Sequence, residues 1–236
     1  MIVGTSQIEI TPKPGVELSG FAARTQPSTG VLDPLFAKAL YLACDNSDLL
    51  WIHCDLIGFE RGVVQAFRRW AKNELGLEEA HVMLSATHTH AGPCTIHLRE
   101  AGEYDAAYAE FLMVRLREAA RAAVKRAEPC ELISVEGRLN LAVDRRKTAS
   151  AHTDPRVAAL GFRRGDGTFA AAIVNYAVHP VALGPTVYLP PPRSVILSPQ
   201  TRTWPASTQS STSMTRAIAR CSFLRASSSS VLKRAL

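Results

Sequence analysis

No apolar run in this 236-residue sequence is long enough to cross a bilayer, since a spanning helix needs about 20 consecutive apolar residues. A transmembrane segment is therefore not expected. The opening Met1-Ile2-Val3-Gly4-Thr5-Ser6 has no basic stretch, apolar core or small-residue cleavage site of the kind that marks a signal peptide, so a cytoplasmic product is expected. Cysteine pattern is missing too. Cys44, Cys54, Cys94, Cys130 and Cys221 are odd in number and lack CxxC spacing, which fits reduced structural thiols better than a disulfide framework or a cysteine zinc site.

Acidic residues are absent from the C-terminal stretch. From Thr186 onward there are seven Lys and Arg and no Asp or Glu, which leaves 20 basic and 21 acidic groups in the preceding 185 residues. The formal charge of +6 thus belongs to the tail. That tail lacks interleaved aromatics and the body has no recognition motif, so no nucleic-acid partner is expected. Glycine also stops at Gly184, while Pro190-Pro191-Pro192, the serines between 207 and 213, and Ser227-Ser228-Ser229-Ser230 follow. Residues 186–236 read either as a disordered Ser/Pro/Arg-rich tail or as an out-of-frame translation.

What is present in residues 1–185 is ordinary folded sequence, 47% hydrophobic and 20% charged over the whole chain, enough for a substantial core. Strands are expected at 7–11, 37–42, 49–54, 81–86, 131–142, 157–163 and 169–178, with Asp166-Gly167 as a hairpin turn between the last two. Val63, Phe67, Trp70 and Ala71 recur at helical spacing before Gly76, which is placed to close a helix over 60–75. A second helix over 105–128 puts Tyr108, Phe111, Leu112, Leu116, Ala119 and Ala123 on one side. The expected class is α/β, with mixed β-sheet flanked by helices.

His88 and His90 follow the apolar strand Val82-Met83-Leu84-Ser85-Ala86. In extended geometry residues i and i+2 share a face, so both imidazoles can address one cleft, and neutral imidazole is a good zinc ligand. The alternative is a pair of turn histidines hydrogen-bonded to backbone. His179, before Pro180, ends another apolar strand, so two strand-end histidine sites can converge. His53 and Asp55 read either as groups that orient a ligand or as a satisfied, partly buried pair. Cys94 reads as a fourth donor or as a small buried thiol. His81, His97 and His152 carry no ligand pattern.

The run Ser85-Ala86-Thr87-His88-Thr89-His90-Ala91-Gly92-Pro93 closely resembles the histidine signature of neutral (non-lysosomal) ceramidases, and Ala177-Val178-His179-Pro180 resembles that family's second zinc-histidine segment. Ile8-Glu9-Ile10-Thr11-Pro12, Gly20-Phe21-Ala22 and Asp33-Pro34-Leu35-Phe36-Ala37-Lys38-Ala39-Leu40 are similar to its N-terminus. The resemblance implies a zinc-dependent amidohydrolase acting on the N-acyl amide of ceramide or a related amide. It implies Zn2+ held by His88 and His179, His90 beside the reacting carbonyl, and Arg145 at the border of the site, with Arg146 adjacent. It further implies a glutamate and a tyrosine ligand from the family's C-terminal half. Nothing after Pro185 matches those segments: the tail has no Glu, and its one tyrosine, Tyr188, sits in no such motif. Residues 1–185 are accordingly read as the N-terminal part of a truncated catalytic domain, weakly active or inactive. A non-catalytic fragment and a cytoplasmic hydrolase of another amide or ester are the alternatives.

Overall fold

The computed structural model describes residues 1–45, 47–146, 151–179 and 184–186, together with the backbone of 201–205. The tail expected from 186 onward, with Cys221, otherwise lies outside the described residues.

Alternation along three strands sets the layering. Successive side chains of a strand point to opposite faces, and here both faces are buried. In β2 (Phe36–Cys44), β3 (Ser47–Cys54) and β4 (Val82–Ala86), Ala37, Ala39, Leu50, Ile52, Cys54 and Val82 enter one apolar cluster. Their neighbours Leu40, Leu42, Leu49, Trp51 and Met83 enter a second. Burial on two sides is why Leu49-Leu50-Trp51-Ile52 reads as a continuous apolar run.

These strands form a five-stranded sheet with β1 (Ile2–Glu9) and the short β5 (Glu128–Pro129), in the order β4-β3-β2-β1-β5. The β3–β4 pair is parallel and the others are antiparallel. Helices α1 (Arg61–Leu75) and α2 (Ala106–Lys125) cover the first face through Phe67 and Ala71, and through Tyr108, Leu112, Leu116, Ala119, Ala120 and Ala123. The Asp105 side chain caps α2 by accepting from Tyr108 N at 2.8 Å, and Gly76 closes α1 in the left-handed region at φ 71°. α2 lies directly on β1: a Cβ at Gly4 would meet the Ala123 carbonyl at 1.9 Å, and the Ser6 hydroxyl donates to Ala119 O at 2.7 Å. Phe111 departs from the expected buried side. It is 37% exposed and lies under the Arg115 guanidinium, 5.3 Å from its ring centre.

A second sheet, in the order β6-β7-β8-β9, contains β6 (Glu131–Arg138), β7 (Arg156–Arg163), β8 (Phe169–Tyr176) and β9 (Thr201–Pro205). Its first three strands are antiparallel, and β9 runs parallel to β8. The turn around Asp166-Gly167 joins β7 to β8, with Gly167 at φ 88°. Phe162 and Ile173 pack into the cluster of Leu40, Leu49, Trp51 and Met83, so the central sheet has helices on one face and the second sheet on the other. The α/β class with mixed sheet is borne out; the flanking is helical on one side only. β6 stops at Arg138 rather than at 142: Leu139 N makes one last in-register bond, to Pro155 O at 2.8 Å, and the amides of Leu141 and Ala142 then leave the ladder and donate to the Tyr176 hydroxyl. Among the described residues no helix is long and apolar enough to cross a membrane.

Phe162 is fully buried at the junction of the two sheets, and Phe162→Ala is expected to cost about 3–5 kcal/mol. Urea unfolding measured on both proteins checks the magnitude.

Candidate metal centre

The parallel ladder between β3 and β4 does not end with the strands. Thr87 N donates to Cys54 O at 2.9 Å and Thr89 N to Leu56 O at 3.2 Å, and both threonines are buried. Between them His88 takes φ 59°, a left-handed conformation that costs a non-glycine residue roughly 1–2 kcal/mol. The extended geometry expected for His88-Thr89-His90 is therefore absent. Both rings nonetheless meet, with centroids 5.0 Å apart.

His179 follows β8 and reaches the same place from the second sheet. Its ring centroid lies 5.3 Å from that of His88 and 5.0 Å from that of His90, and all three rings are nearly perpendicular to one another, at 81° to 84°. One ligand nitrogen from each residue fits within a set whose members all lie within 4.8 Å of one another.

Hydrogen bonding fixes part of the chemistry. His88 Nδ1 lies 2.9 Å from the Ile57 carbonyl, which only accepts, so Nδ1 carries the proton and Nε2 presents its lone pair. His88 is thus both a turn histidine bonded to backbone and a member of the cluster. His90 differs: both its ring nitrogens are buried without a hydrogen-bond partner among the described residues. Burial, then the nearby His88, His179, Arg24 and Arg145, lower its pKa to about 4. Burial, then His88 and Arg145, lower that of His179. At neutral pH these two offer lone pairs rather than positive charge. The two unpartnered nitrogens of His90, the lone pair of His88 Nε2 and the exposed ring of His179, gathered within one ligand sphere, fit a metal ion such as zinc.

Arg145 and Arg146 separate cleanly. Arg146 forms a forked ion pair with Asp144, with Nη2 to Oδ2 at 2.7 Å and Nε to Oδ1 at 3.0 Å, whereas the charge of Arg145 bears on both His90 and His179. The Tyr176 hydroxyl ties the segment before Arg145 to the end of β8. It donates to Leu139 O at 2.8 Å and accepts from Leu141 N at 3.0 Å and Ala142 N at 2.9 Å.

The other candidates lie elsewhere. His53 Nδ1 and the Trp51 indole both meet Ser85 Oγ, at 2.8 and 2.6 Å. Asp55 accepts from Phe36 N at 3.1 Å and pairs with Lys38 at 3.5 Å. His53 is buried and Asp55 half-buried, and both are engaged away from the histidine cluster. Cys94 is buried and donates to Ile96 O at 3.2 Å, and it is not in the histidine set. His81 pairs with Asp48, and His97 with Glu60.

The wall behind His90 is built by Gly20 and Phe21, named in the sequence as part of the resemblance but given no role there. Gly20, at φ +100°, sits so close that a Cβ would lie 2.5 Å from His90 Cγ. Phe21 meets the same ring edge-on at 5.0 Å, and Arg24 Nη1 donates to His90 O at 2.8 Å. Backbone acceptors and close approaches leave no mark in side-chain patterns. The Gly20-Phe21 pair itself was the available signal.

Two sheets thus meet at a strand-end cluster of three histidines whose ring nitrogens lie close enough together to hold a metal ion. Among solved structures the fold is similar to a ceramidase complexed with C2, at 22% identity and TM-score 0.70, covering 80% of this chain and 32% of that one. It is also similar to the neutral ceramidase from Pseudomonas aeruginosa, at 19% identity and TM-score 0.72, covering 86% of this chain and 38% of that one. The likeness to neutral ceramidases read from the histidine signature is borne out in the fold. The chain spans about a third of the length of each of these proteins. No family model matches the sequence, and no curated protein matches it.

His53 yields a pH test. Burial, then the nearby Lys38, lower its pKa to about 3, so the folded protein keeps it neutral while the unfolded chain protonates near 6.5. The unfolded state binds the extra proton below about pH 6.5, so stability falls with pH by about 1.4 kcal/mol per unit down to about pH 3. Unfolding free energies in urea should fall as pH drops from 7 to 4, and the slope should lessen by about 1.4 kcal/mol per unit in His53→Gln.

Proposed function

We propose that this chain is the histidine-bearing part of a ceramidase-like zinc amidohydrolase, with a lipid amide such as ceramide, or a related small amide, as substrate. The observation that carries the reading is the convergence of His88, His90 and His179 from two sheets into one ligand sphere. Support comes from the fold shared with two ceramidases, one of them complexed with C2.

In this reading His88 and His179 hold the metal. His88 is pre-set by its bond to Ile57 O, which leaves Nε2 free to ligate. Zinc, when bound, lowers the pKa of a water to about 7 and polarises a carbonyl. His90 is neutral at physiological pH and therefore has one N–H to donate; it donates to the oxygen on which negative charge develops as the amide is attacked. Arg145 adds fixed positive charge at the same edge. The His90 pocket, walled by Gly20 and Phe21, keeps water from the ring.

A catalytic zinc takes about three protein ligands and a water. The glutamate and tyrosine that the family resemblance implies have no counterpart in the sequence, so residues 1–185 are read as an incomplete catalytic domain and residues 186–236 as a tail outside it. A non-catalytic fragment is the second reading. It is favoured by Leu141 and Val143, 68% and 82% exposed, and by Val178, 42% exposed, beside His179.

Calorimetry should show reversible zinc binding that is abolished in His88→Ala and lost on dialysis, with turnover of a fluorogenic N-acyl substrate near background. No heat of zinc binding would overturn the metal reading. Tight stoichiometric zinc, with turnover abolished in His88→Ala, would overturn the incompleteness.

A further inference from the structure

The segment from Leu18 to Arg24 folds around the turn that carries His90. Ser19 N donates to Gly92 O at 2.9 Å, Ser19 Oγ to the same oxygen at 3.1 Å, and Leu18 bridges to Pro93. Arg24 closes the wrap. Its Nη1 lies 2.8 Å from His90 O, 3.1 Å from Ser19 O and 3.2 Å from Leu18 O, and it donates to all three. The guanidinium carbon lies over the Phe21 ring at 5.1 Å from its centre, and Phe21 in turn meets the His90 ring edge-on. One side chain thereby ties the backbone of His90 to the two residues preceding Gly20, whose backbone touches the His90 ring.

We infer that Arg24 is a positioning residue for His90: it holds the carbonyl of His90 and the backbone that walls its imidazole, and so fixes the direction in which the ring presents its nitrogens. The inference rests on the metal reading of the cluster. Three carbonyls converge on Nη1, a terminus that a lysine ammonium can mimic, while the guanidinium also lies over an aromatic ring, a contact that an ammonium reproduces less well. Leu18 and Ser19 are buried, so loss of the arginine leaves their carbonyls without that donor, a cost that the segment relieves by shifting. His90 has no ring hydrogen bond of its own among the described residues, so its orientation depends on these walls.

The test compares Arg24→Met with Arg68→Met in the full chain. Arg68 Nε donates to Val82 O at 2.9 Å, a like bond at the opposite end of β4 from the histidines. Histidine ring NMR signals are recorded without metal, and zinc affinity is measured by calorimetry. Arg24→Met is expected to shift or split the His90 ring signals and to weaken zinc binding about 10- to 100-fold, with a smaller shift in Arg24→Lys. Arg68→Met is expected to change neither. His90 signals and zinc affinity in Arg24→Met that match the parent, or equal changes in both methionine variants, would overturn the inference. Should Arg24→Met fail to fold, an unshifted His90 ring in Arg24→Gln, whose shorter amide cannot bridge the three carbonyls, overturns it. If the parent binds no zinc, the metal reading falls, and the metal-free ring spectra alone decide the role of Arg24.

Discussion

Packing of Phe162 and Ile173 from one sheet against Leu40, Leu49, Trp51 and Met83 of the other is the contact on which the site depends. His88 and His90 belong to the end of β4, and His179 belongs to the end of β8. The two strands lie in different sheets, and only face-to-face burial of their apolar residues places those ends together. Interiors are close-packed, so the separation of the sheets is set by side-chain volume and the spacing of the histidines inherits that precision. Helices on the opposite face complete the burial of the central sheet without touching the cluster's construction.

Electrostatics follow from that burial. His90 and His179, partly removed from water beside another imidazole, resist protonation, and the guanidinium charges of Arg24 and Arg145 press in the same direction at His90. The result is a group of neutral imidazole nitrogens that could hold a metal ion, with guanidinium charge beside it. The left-handed backbone of His88 belongs to the same economy of the site. Thr87 and Thr89 keep the parallel ladder on either side of it, so the strain at His88 is confined and its Nδ1 reaches the Ile57 carbonyl.

The sequence made some of this legible. α2 was readable because alanines and leucines recur at helical spacing along one side, and its ends fall within a few residues of the expected ones. β3 was readable as a strand, although its double-sided burial hid which residues face which layer. His88, His90 and His179 stood out by position after apolar strands, and they lie together. Other parts were not readable. The left-handed turn at His88 arises from the ladder bonds of its neighbours, and the end of β6 depends on a hydroxyl far along the chain, at Tyr176, 37 residues beyond Leu139. Arg24 looked like any loop arginine, because its partners are backbone carbonyls that every sequence has. The choice between Arg145 and Arg146 turned on Asp144, whose fork with Arg146 requires the local chain path.

The central claim is that histidines from two sheets converge on one metal ion. X-ray absorption at the zinc edge, on concentrated protein supplied with one equivalent of zinc, tests it most directly. The account predicts outer-shell scattering from at least two imidazoles around a single zinc, diminished when either His88 or His179 is replaced by alanine. A shell of oxygen donors without imidazole scattering, or a spectrum unchanged in both variants, would contradict it.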